Sequence, residues 1–130
     1  VECAGLRPGV RVLAIERDGA SCERIATNAA SHGVSLEVVT GEAPGVLAEL
    51  PTPDRLFIGG GGFDVLDAAL DRLAPGGVAV ATYTSWERGR VAAERLGNIV
   101  EVTVRRGERK EDGDWGRISL NPVFVVWGTR

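Results

Sequence analysis

The chain has 130 residues, of which 44% are hydrophobic and 25% charged, and this composition is typical of one ordinary globular domain. No apolar run approaches the about 20 residues of a membrane span and no signal peptide is recognisable, so we expect a cytoplasmic protein. The formal net charge of −3 argues against a nucleic-acid-binding surface, and the two cysteines have no metal-ligand spacing.

The first third of the chain predicts two strands separated by a helix. Residues 11–16 form a short apolar run that ends in an acid, which is typical of a buried strand. Asp18 is the predicted N-cap of the following helix, and Gly33 is the glycine that ends it. Residues 36–40 are the second predicted strand, and Pro44 suits the first turn of a short helix.

The remainder predicts two strand–helix pairs and then two strands with no helix between them. The predicted strands are residues 55–58, 78–82, 99–105 and 121–128, and the predicted helices are residues 64–73 and 86–96. Residues 107–114 are polar and charged, and we expect them to form a mobile loop. The valine-rich final strand is a candidate sheet edge for association between copies.

Strands that alternate with helices predict an α/β fold, with a mostly parallel, Rossmann-like sheet and helices on both faces. The last two strands can pair antiparallel, as a hairpin at one edge of that sheet. Residues 1–7 resemble the tail of a helix, with Pro8 and Gly9 after it. Because a doubly wound sheet normally has a first strand and a glycine-rich turn before such a helix, we expect residues 1–130 to be one domain that lacks these parts.

Candidate nucleotide-binding residues follow the first two strands, because ligands of open parallel sheets bind beyond the carboxyl ends of the strands. Glu16 could accept both hydrogen bonds from a ribose diol, or it could be a solvated acid at a helix start. A dinucleotide and S-adenosylmethionine both carry this ribose, so Glu16 does not choose between them. After Gly41, the Glu42 side chain and the Ala43 amide could contact an adenine edge, or they could belong to an ordinary turn.

Four consecutive glycines, residues 59–62, follow the third predicted strand. They match neither the P-loop spacing nor G-x-G-x-x-G. Glycine permits positive φ and removes side chains, which would let the backbone approach a flat substrate; the alternative is a flexible turn. Each glycine costs about 0.5–1 kcal/mol relative to alanine in an ordered segment, so four of them favour a functional role.

Aromatic and basic residues supply further candidates. Tyr83, Trp86 and Trp115 could wall a pocket for a planar ligand, or they could cover the edge of the core. An arginine cluster that includes Arg105 and Arg109 could bind carboxylates through bidentate hydrogen bonds, or it could be a solvated charged run. No Ser-His-Asp or metal-binding constellation is recognisable in the sequence, and the catalytic residue stays unassigned.

Several motifs spread along the chain occur together in one known family. They are VLAIERD at 12–18, Asn28, GEAP at 41–44, FIGGGG at 57–62, LAPGG at 73–77 and NPVFVVWG at 121–128. With these motifs the chain resembles class I S-adenosylmethionine-dependent methyltransferases. More narrowly, it is similar to the decarboxylating precorrin C5,15-methyltransferases and stand-alone precorrin-8w decarboxylases of cobalamin synthesis. The glycine run and the GEAP turn are the most specific parts of this resemblance, which covers nearly the whole chain.

The resemblance implies methyl transfer from S-adenosylmethionine to ring carbon C15 of a precorrin, with decarboxylation of the acetate on C12. It implies no nucleic-acid or membrane partner, and it suggests a homo-oligomer. The residues expected to contact the cofactor are Glu16, Arg17, Gly41, Glu42, Ala43, Ile58 and Gly59. Those expected to contact the tetrapyrrole are Gly60, Gly61, Gly62, Tyr83, Arg105 and Arg109. The glycine-rich turn that holds the methionine part of the cofactor in this family is absent from these residues.

Three alternatives remain at this stage. A nicotinamide-dependent oxidoreductase would also use Glu16, but an antiparallel final strand would favour a methyltransferase over it. Another methyltransferase of the same class could act on a small molecule, RNA or protein. Finally, the chain could be a methyltransferase-like scaffold without catalytic activity.

Overall fold

A computed structural model of the chain describes residues 1–7 and 9–130, so the predicted helix end at Pro8 lies outside the described residues. The chain divides into two compact units, Val1–Leu50 and Pro51–Arg130. None of the helices in the described part of the chain is long and apolar enough to cross a membrane.

The first unit contains a pair of parallel strands with helices beside them. Its elements are α1 (Glu2–Leu6), β1 (Leu13–Glu16), α2 (Gly19–Ser31), β2 (Glu37–Thr40) and a 3₁₀ helix (Gly45–Glu49). The two strands run in register from Leu13 opposite Glu37 to Glu16 opposite Thr40. The predicted N-cap is confirmed, because the Asp18 carboxylate accepts a 2.8 Å hydrogen bond from the backbone N–H of Ser21.

The second unit contains a four-stranded sheet in the order β3-β4-β8-β5. Its elements are β3 (Arg55–Ile58), α3 (Phe63–Arg72), β4 (Val78–Tyr83), α4 (Trp86–Leu96), β5 (Asn98–Val102), β6 (Arg105–Arg109), β7 (Trp115–Ser119) and β8 (Val123–Thr129). β3 and β4 are parallel, whereas β8 is antiparallel to both β4 and β5. The predicted α/β class and the antiparallel pair at one end of the sheet are therefore confirmed.

The position of β8 corrects one expectation. The final strand lies between β4 and β5, so both of its edges are hydrogen-bonded, and the outer strand at this end of the sheet is β5. The alternation of buried and exposed residues along β8 and β4 brings buried partners opposite each other, such as Val126 opposite Ala81. The final strand is rich in valine because it is an inner strand, not because it is an edge.

Helix α4 packs closely on the buried face of β8. The sequence places Gly128 opposite the last turn of this helix, where a Cβ atom would lie 2.0 Å from the carbonyl oxygen of Leu96. Only a residue without a side chain allows the two backbones to approach so closely. The hydrophobic core of the second unit includes Leu66, Leu73 and Val126, whose side chains are all less than 2% exposed.

The segment predicted as a mobile loop, residues 107–114, belongs to a hairpin: residues 107–109 lie in β6, and residues 110–114 form the turn. β6 and β7 pair antiparallel, from Arg105 opposite Ser119 to Arg109 opposite Trp115. The turn that joins them is closed by a 2.8 Å bond from the Lys110 N–H to the Asp114 carbonyl. The prediction was wrong for residues 107–109, since every residue of β6 is exposed and no hydrophobic alternation marks it as a strand.

Candidate functional site

In the first unit, the carboxyl ends of β1 and β2 bring two predicted cofactor residues together. Glu16 ends β1, and the N–H of Gly41, just beyond β2, donates a 3.0 Å hydrogen bond to the Glu16 carbonyl. The Glu16 carboxylate accepts a 2.9 Å bond from the Asp18 N–H through Oε1. Because a carboxylate has two oxygens with several acceptor positions, this bond orients Glu16 and leaves capacity for a ligand.

The neighbouring predicted residues Arg17 and Glu42 form an ion pair with each other. Arg17 Nη1 and Glu42 Oε1 are 2.8 Å apart, and both side chains are about 70% exposed. An ion pair this exposed contributes about 0–1 kcal/mol, so a ligand can replace either partner at little cost. Ala43 follows Glu42 in the same turn and is half-buried.

The absence of a side chain at Gly41 has a structural cause of its own. A Cβ atom at this position would lie 2.3 Å from Val46 Cγ1, on the 3₁₀ helix that follows. Gly41 therefore supports the packing of the turn whether or not a ligand lies beside it.

In the second unit, a cleft of about 240 Å³ opens at the carboxyl ends of β3 and β4. It is lined by residues 59–61, residues 82–84, Arg88 and Val123. Four predicted site residues are thus brought together: Gly59, Gly60, Gly61 and Tyr83. Two others are not in the lining: Ile58, which is the buried last residue of β3, and Gly62, which is the N-cap of α3.

The glycines in this cleft differ in what the backbone requires of them. Gly61 has φ of +94°, and a Cβ atom there would lie 3.0 Å from Val65 Cγ2. This left-handed conformation is unfavourable for any residue with a side chain. Gly60, by contrast, has no positive φ, and a Cβ atom added there would meet no other side chain or backbone within 4 Å. One glycine of the run is therefore required by the turn itself, at Gly61.

Arg88 of α4 connects the glycine turn, residues 59–62, with the aromatic side chains of the cleft. Its Nη2 donates a 2.7 Å hydrogen bond to the Gly61 carbonyl. Its guanidinium also lies over two aromatic rings, 5.5 Å from the Tyr83 centroid and 5.7 Å from the Phe63 centroid. Burial raises the pKa of the Tyr83 phenol, so this side chain is neutral at physiological pH.

A second arginine supports the same aromatic wall from α4. Arg95 lies 5.1 Å from the Phe63 centroid and binds Asp67 through two hydrogen bonds, of 2.5 Å and 3.0 Å. The hydrogen bond from Arg95 lowers the pKa of the Asp67 carboxyl. Phe63 is thus held in place by an arginine whose own charge is already paired.

The predicted arginines of the polar segment lie elsewhere. Arg105 and Arg109 are at the two ends of β6, are exposed, and do not line the cleft. Their role in substrate binding stays a prediction. Trp86 packs edge-to-face on Phe124 at 5.6 Å and is likewise outside the lining. Among residues 1–7 and 9–130, no group of three or more His, Cys, Asp or Glu side chains is placed to hold a metal ion.

Sequence reasoning missed four residues of the cleft: Thr82, Thr84, Arg88 and Val123. Thr82 and Thr84 flank Tyr83 at the end of a predicted strand, so the rule that ligands lie beyond strand ends could have included them. Arg88 is inside a predicted helix, and only the contact with Gly61, 27 residues away in sequence, reveals its position.

A family model for the precorrin methyltransferase domain matches residues 1–117 of this chain. The chain belongs to this family. A protein of Pyrobaculum calidifontis named "Probable cobalt-precorrin-6B C(15)-methyltransferase (decarboxylating)" is 37% identical over 133 residues, which cover 91% of this chain and 65% of that protein. The chain therefore spans just under two thirds of the length of this relative. The resemblance inferred from the motifs is confirmed.

Solved structures agree with the family at the level of the fold. The C-terminal domain of precorrin-6Y C5,15-methyltransferase from Rhodobacter capsulatus has a TM-score of 0.83 and 30% identity, over 92% of this chain and 68% of that one. Precorrin-8w decarboxylase from Methanobacterium thermoautotrophicum has a TM-score of 0.78 and 30% identity, over 91% of this chain and 69% of that one. The methyltransferase fold is thus established for this chain, and the oxidoreductase alternative loses its basis.

Proposed function

We propose that this chain is the methyltransferase domain of a decarboxylating precorrin methyltransferase of cobalamin biosynthesis. In the proposed reaction, a bond forms between ring carbon C15 of the tetrapyrrole and a methyl group, and the bond between that methyl group and sulfur breaks. The acetate on C12 loses carbon dioxide, and a proton takes its place. The observation that carries the proposal is the 37% identity to a relative named for this reaction along 91% of the chain.

The residues at the ends of β1 and β2 fit the ribose and adenine of S-adenosylmethionine. When bound, this cofactor supplies an electrophilic methyl group on a sulfonium. Glu16 would accept hydrogen bonds from the two ribose hydroxyls, since the bond from Asp18 already holds its carboxylate in one orientation. Arg17, Gly41, Glu42 and Ala43 would border the adenine. The assignments of Ile58 and Gly59 as cofactor contacts stay predictions from the sequence.

The cleft of the second unit fits one edge of the tetrapyrrole macrocycle. Residues 59–61 contribute backbone without side chains, and Tyr83 contributes an aromatic surface. The ring carbon is itself the nucleophile, so the protein has to orient it and exclude water rather than supply a reactive side chain. Such a role is consistent with the lack of a catalytic triad motif in the sequence. Gly62, Arg105 and Arg109 remain proposed substrate contacts without support from the cleft lining.

Titration calorimetry with S-adenosylhomocysteine tests the cofactor assignment on the full-length gene product. We expect binding that Glu16→Gln weakens about 10- to 100-fold, because hydrogen bonds to a charged group contribute about 1.5–3 kcal/mol. Glu23→Gln is the matched control, since Glu23 is an exposed carboxylate on α2. Equal affinity of the Glu16→Gln variant and the wild type would exclude the assigned ribose contact.

Turnover tests the reaction itself. Incubation with a precorrin substrate and S-adenosylmethionine should give a product whose mass shows the gain of a methyl group and the loss of carbon dioxide. Methylation without decarboxylation would reduce the proposal to methyl transfer alone. A protein that neither binds S-adenosylhomocysteine nor methylates the tetrapyrrole would instead support the scaffold alternative.

A further inference from the structure

Arg88 is held in the cleft by contacts that leave its charge unpaired. The guanidinium donates one hydrogen bond to the Gly61 carbonyl, at 2.7 Å, and lies over the Tyr83 and Phe63 rings. The Ser85 side chain, which caps α4, accepts a bond from the Arg88 N–H at 3.4 Å and fixes the backbone there. A carbonyl and two rings stabilise a cation, but none of them neutralises it.

Other arginines of the same helix differ from Arg88 in this respect. Arg95 is bound to both oxygens of Asp67, and Arg90 is paired with Glu94 one helical turn away. The ion pairs found among residues 1–7 and 9–130 do not include Arg88. It is therefore the cleft-lining arginine that presents an unneutralised charge to the space where a ligand would lie.

The chemistry of the group indicates its ligand. A guanidinium has five N–H donors in a planar fork, and the bond to Gly61 uses one of them. The remaining donors match the two oxygens of a carboxylate. Arg88 is exposed, so these donors are accessible to a ligand.

The size of the cleft indicates which part of the ligand enters it. Its volume is about 240 Å³, below the about 300–1,000 Å³ of pockets that hold a whole drug-sized molecule. A tetrapyrrole is larger than such a molecule. The cleft therefore fits one edge of a macrocycle with its acidic side chain, while the rest of the ring extends beyond it.

We propose that Arg88 binds a carboxylate on a peripheral side chain of the tetrapyrrole and so orients the macrocycle against the glycine turn. This inference rests on the proposed function, which makes the substrate a polycarboxylate. It places a carboxylate-binding residue on α4 of the second unit, whereas the sequence predicted such residues only on β6, at Arg105 and Arg109. Because Arg88 also holds the Gly61 carbonyl, the bound carboxylate and the turn are connected through one side chain.

Steady-state kinetics on the full-length gene product test the role of Arg88. Arg88→Met keeps the apolar stem and removes the charge, and Arg88→Lys keeps the charge and removes the fork. We expect Arg88→Met to raise KM for the tetrapyrrole about 10- to 100-fold, with an intermediate effect for Arg88→Lys. Affinity for S-adenosylhomocysteine should stay unchanged in both. Arg90→Met is the control, because Arg90 is exposed on the same helix and should leave both values as in the wild type.

A probe with and without carboxylates separates anion binding from a merely structural role. The probe is a water-soluble porphyrin with carboxylate side chains, compared by fluorescence quenching with the same porphyrin converted to its primary amides. The wild type should prefer the carboxylate form about 10-fold or more, and Arg88→Met should lose this preference. A loss of affinity for both forms alike would mean that Arg88 only supports the turn, and would overturn the inference.

The kinetic results also separate this inference from the proposed function. If the wild type turns over the precorrin and Arg88→Met has the same KM, the inference fails and the proposed function stands. If the wild type binds neither S-adenosylhomocysteine nor the porphyrin carboxylate, both fail.

Discussion

Gly61→Ala should destabilise the second unit because this position has a left-handed backbone. Its φ is +94°, which costs alanine about 1–2 kcal/mol relative to a right-handed conformation. The new methyl group would also lie 3.0 Å from Val65 Cγ2, so the first turn of α3 must shift. Loss of unfolded-state entropy offsets about 0.4–1 kcal/mol of these costs. We therefore expect a net loss of about 1–3 kcal/mol in the free energy of unfolding.

Gly60→Ala is the matched control for this prediction. The neighbouring position has ordinary φ and open space around a Cβ atom, so the unfolded-state term should leave stability unchanged or raise it by up to about 1 kcal/mol. Urea unfolding followed by tryptophan fluorescence measures the difference. The three tryptophans, Trp86, Trp115 and Trp127, all lie in the second unit, so the signal reports that unit alone. If the two variants unfold at the same urea concentration, the left-handed turn does not account for the glycine at 61.

Three further predictions concern stability and assembly. Gly128→Ala should lower the free energy of unfolding by about 3 kcal/mol or more, because its methyl group would collide with the Leu96 carbonyl. A free energy of unfolding equal to that of the wild type, measured by chemical denaturation, would contradict this packing. Asp67→Asn should lower the melting temperature at pH 7, where the wild-type carboxylate is ionised and bound by Arg95. Because its pKa is lowered in the folded state, this contribution is present above about pH 4 and should vanish as the pH falls further, so the two melting curves should converge in acid. We also predict self-association through the outer edge of β5, where two valines are each 45% exposed, and a monomer mass by light scattering would refute it.

The order of elements in the fold could be predicted because each core element carries a periodic pattern. β4 alternates half-buried and buried residues along its length, and α3 buries Leu66 and Ala69 three positions apart. Turn residues such as Asp18 and Gly33 marked the ends of α2 correctly. The strand order was harder to predict, since no local sequence pattern indicates that β8 lies between β4 and β5. That arrangement is set by pairing with strands that are 20 or more residues away in the sequence.

The candidate site could be predicted only where it follows strand ends. Glu16 and the glycine run were found by their position after strands, and the structure places both at carboxyl ends of parallel strands. Arg88 could not be found in this way, because helical periodicity marks it simply as an exposed residue. Its place in the cleft results from the packing of α4 on the sheet, which brings residue 88 to the carbonyl of residue 61.

The glycine run shows how structural and functional requirements can share one segment. Gly61 is explained by its backbone conformation, and at Gly62 a Cβ atom would lie 2.2 Å from Asp64 Oδ1. Gly60 has neither reason, because its φ is ordinary and a Cβ atom there would have no contact within 4 Å beyond its chain neighbours. It nevertheless lines the cleft, next to the turn that Arg88 holds. We propose that a ligand surface approaches the backbone at Gly60, since a glycine permits such an approach and neither packing nor backbone conformation requires one at this position of the cleft.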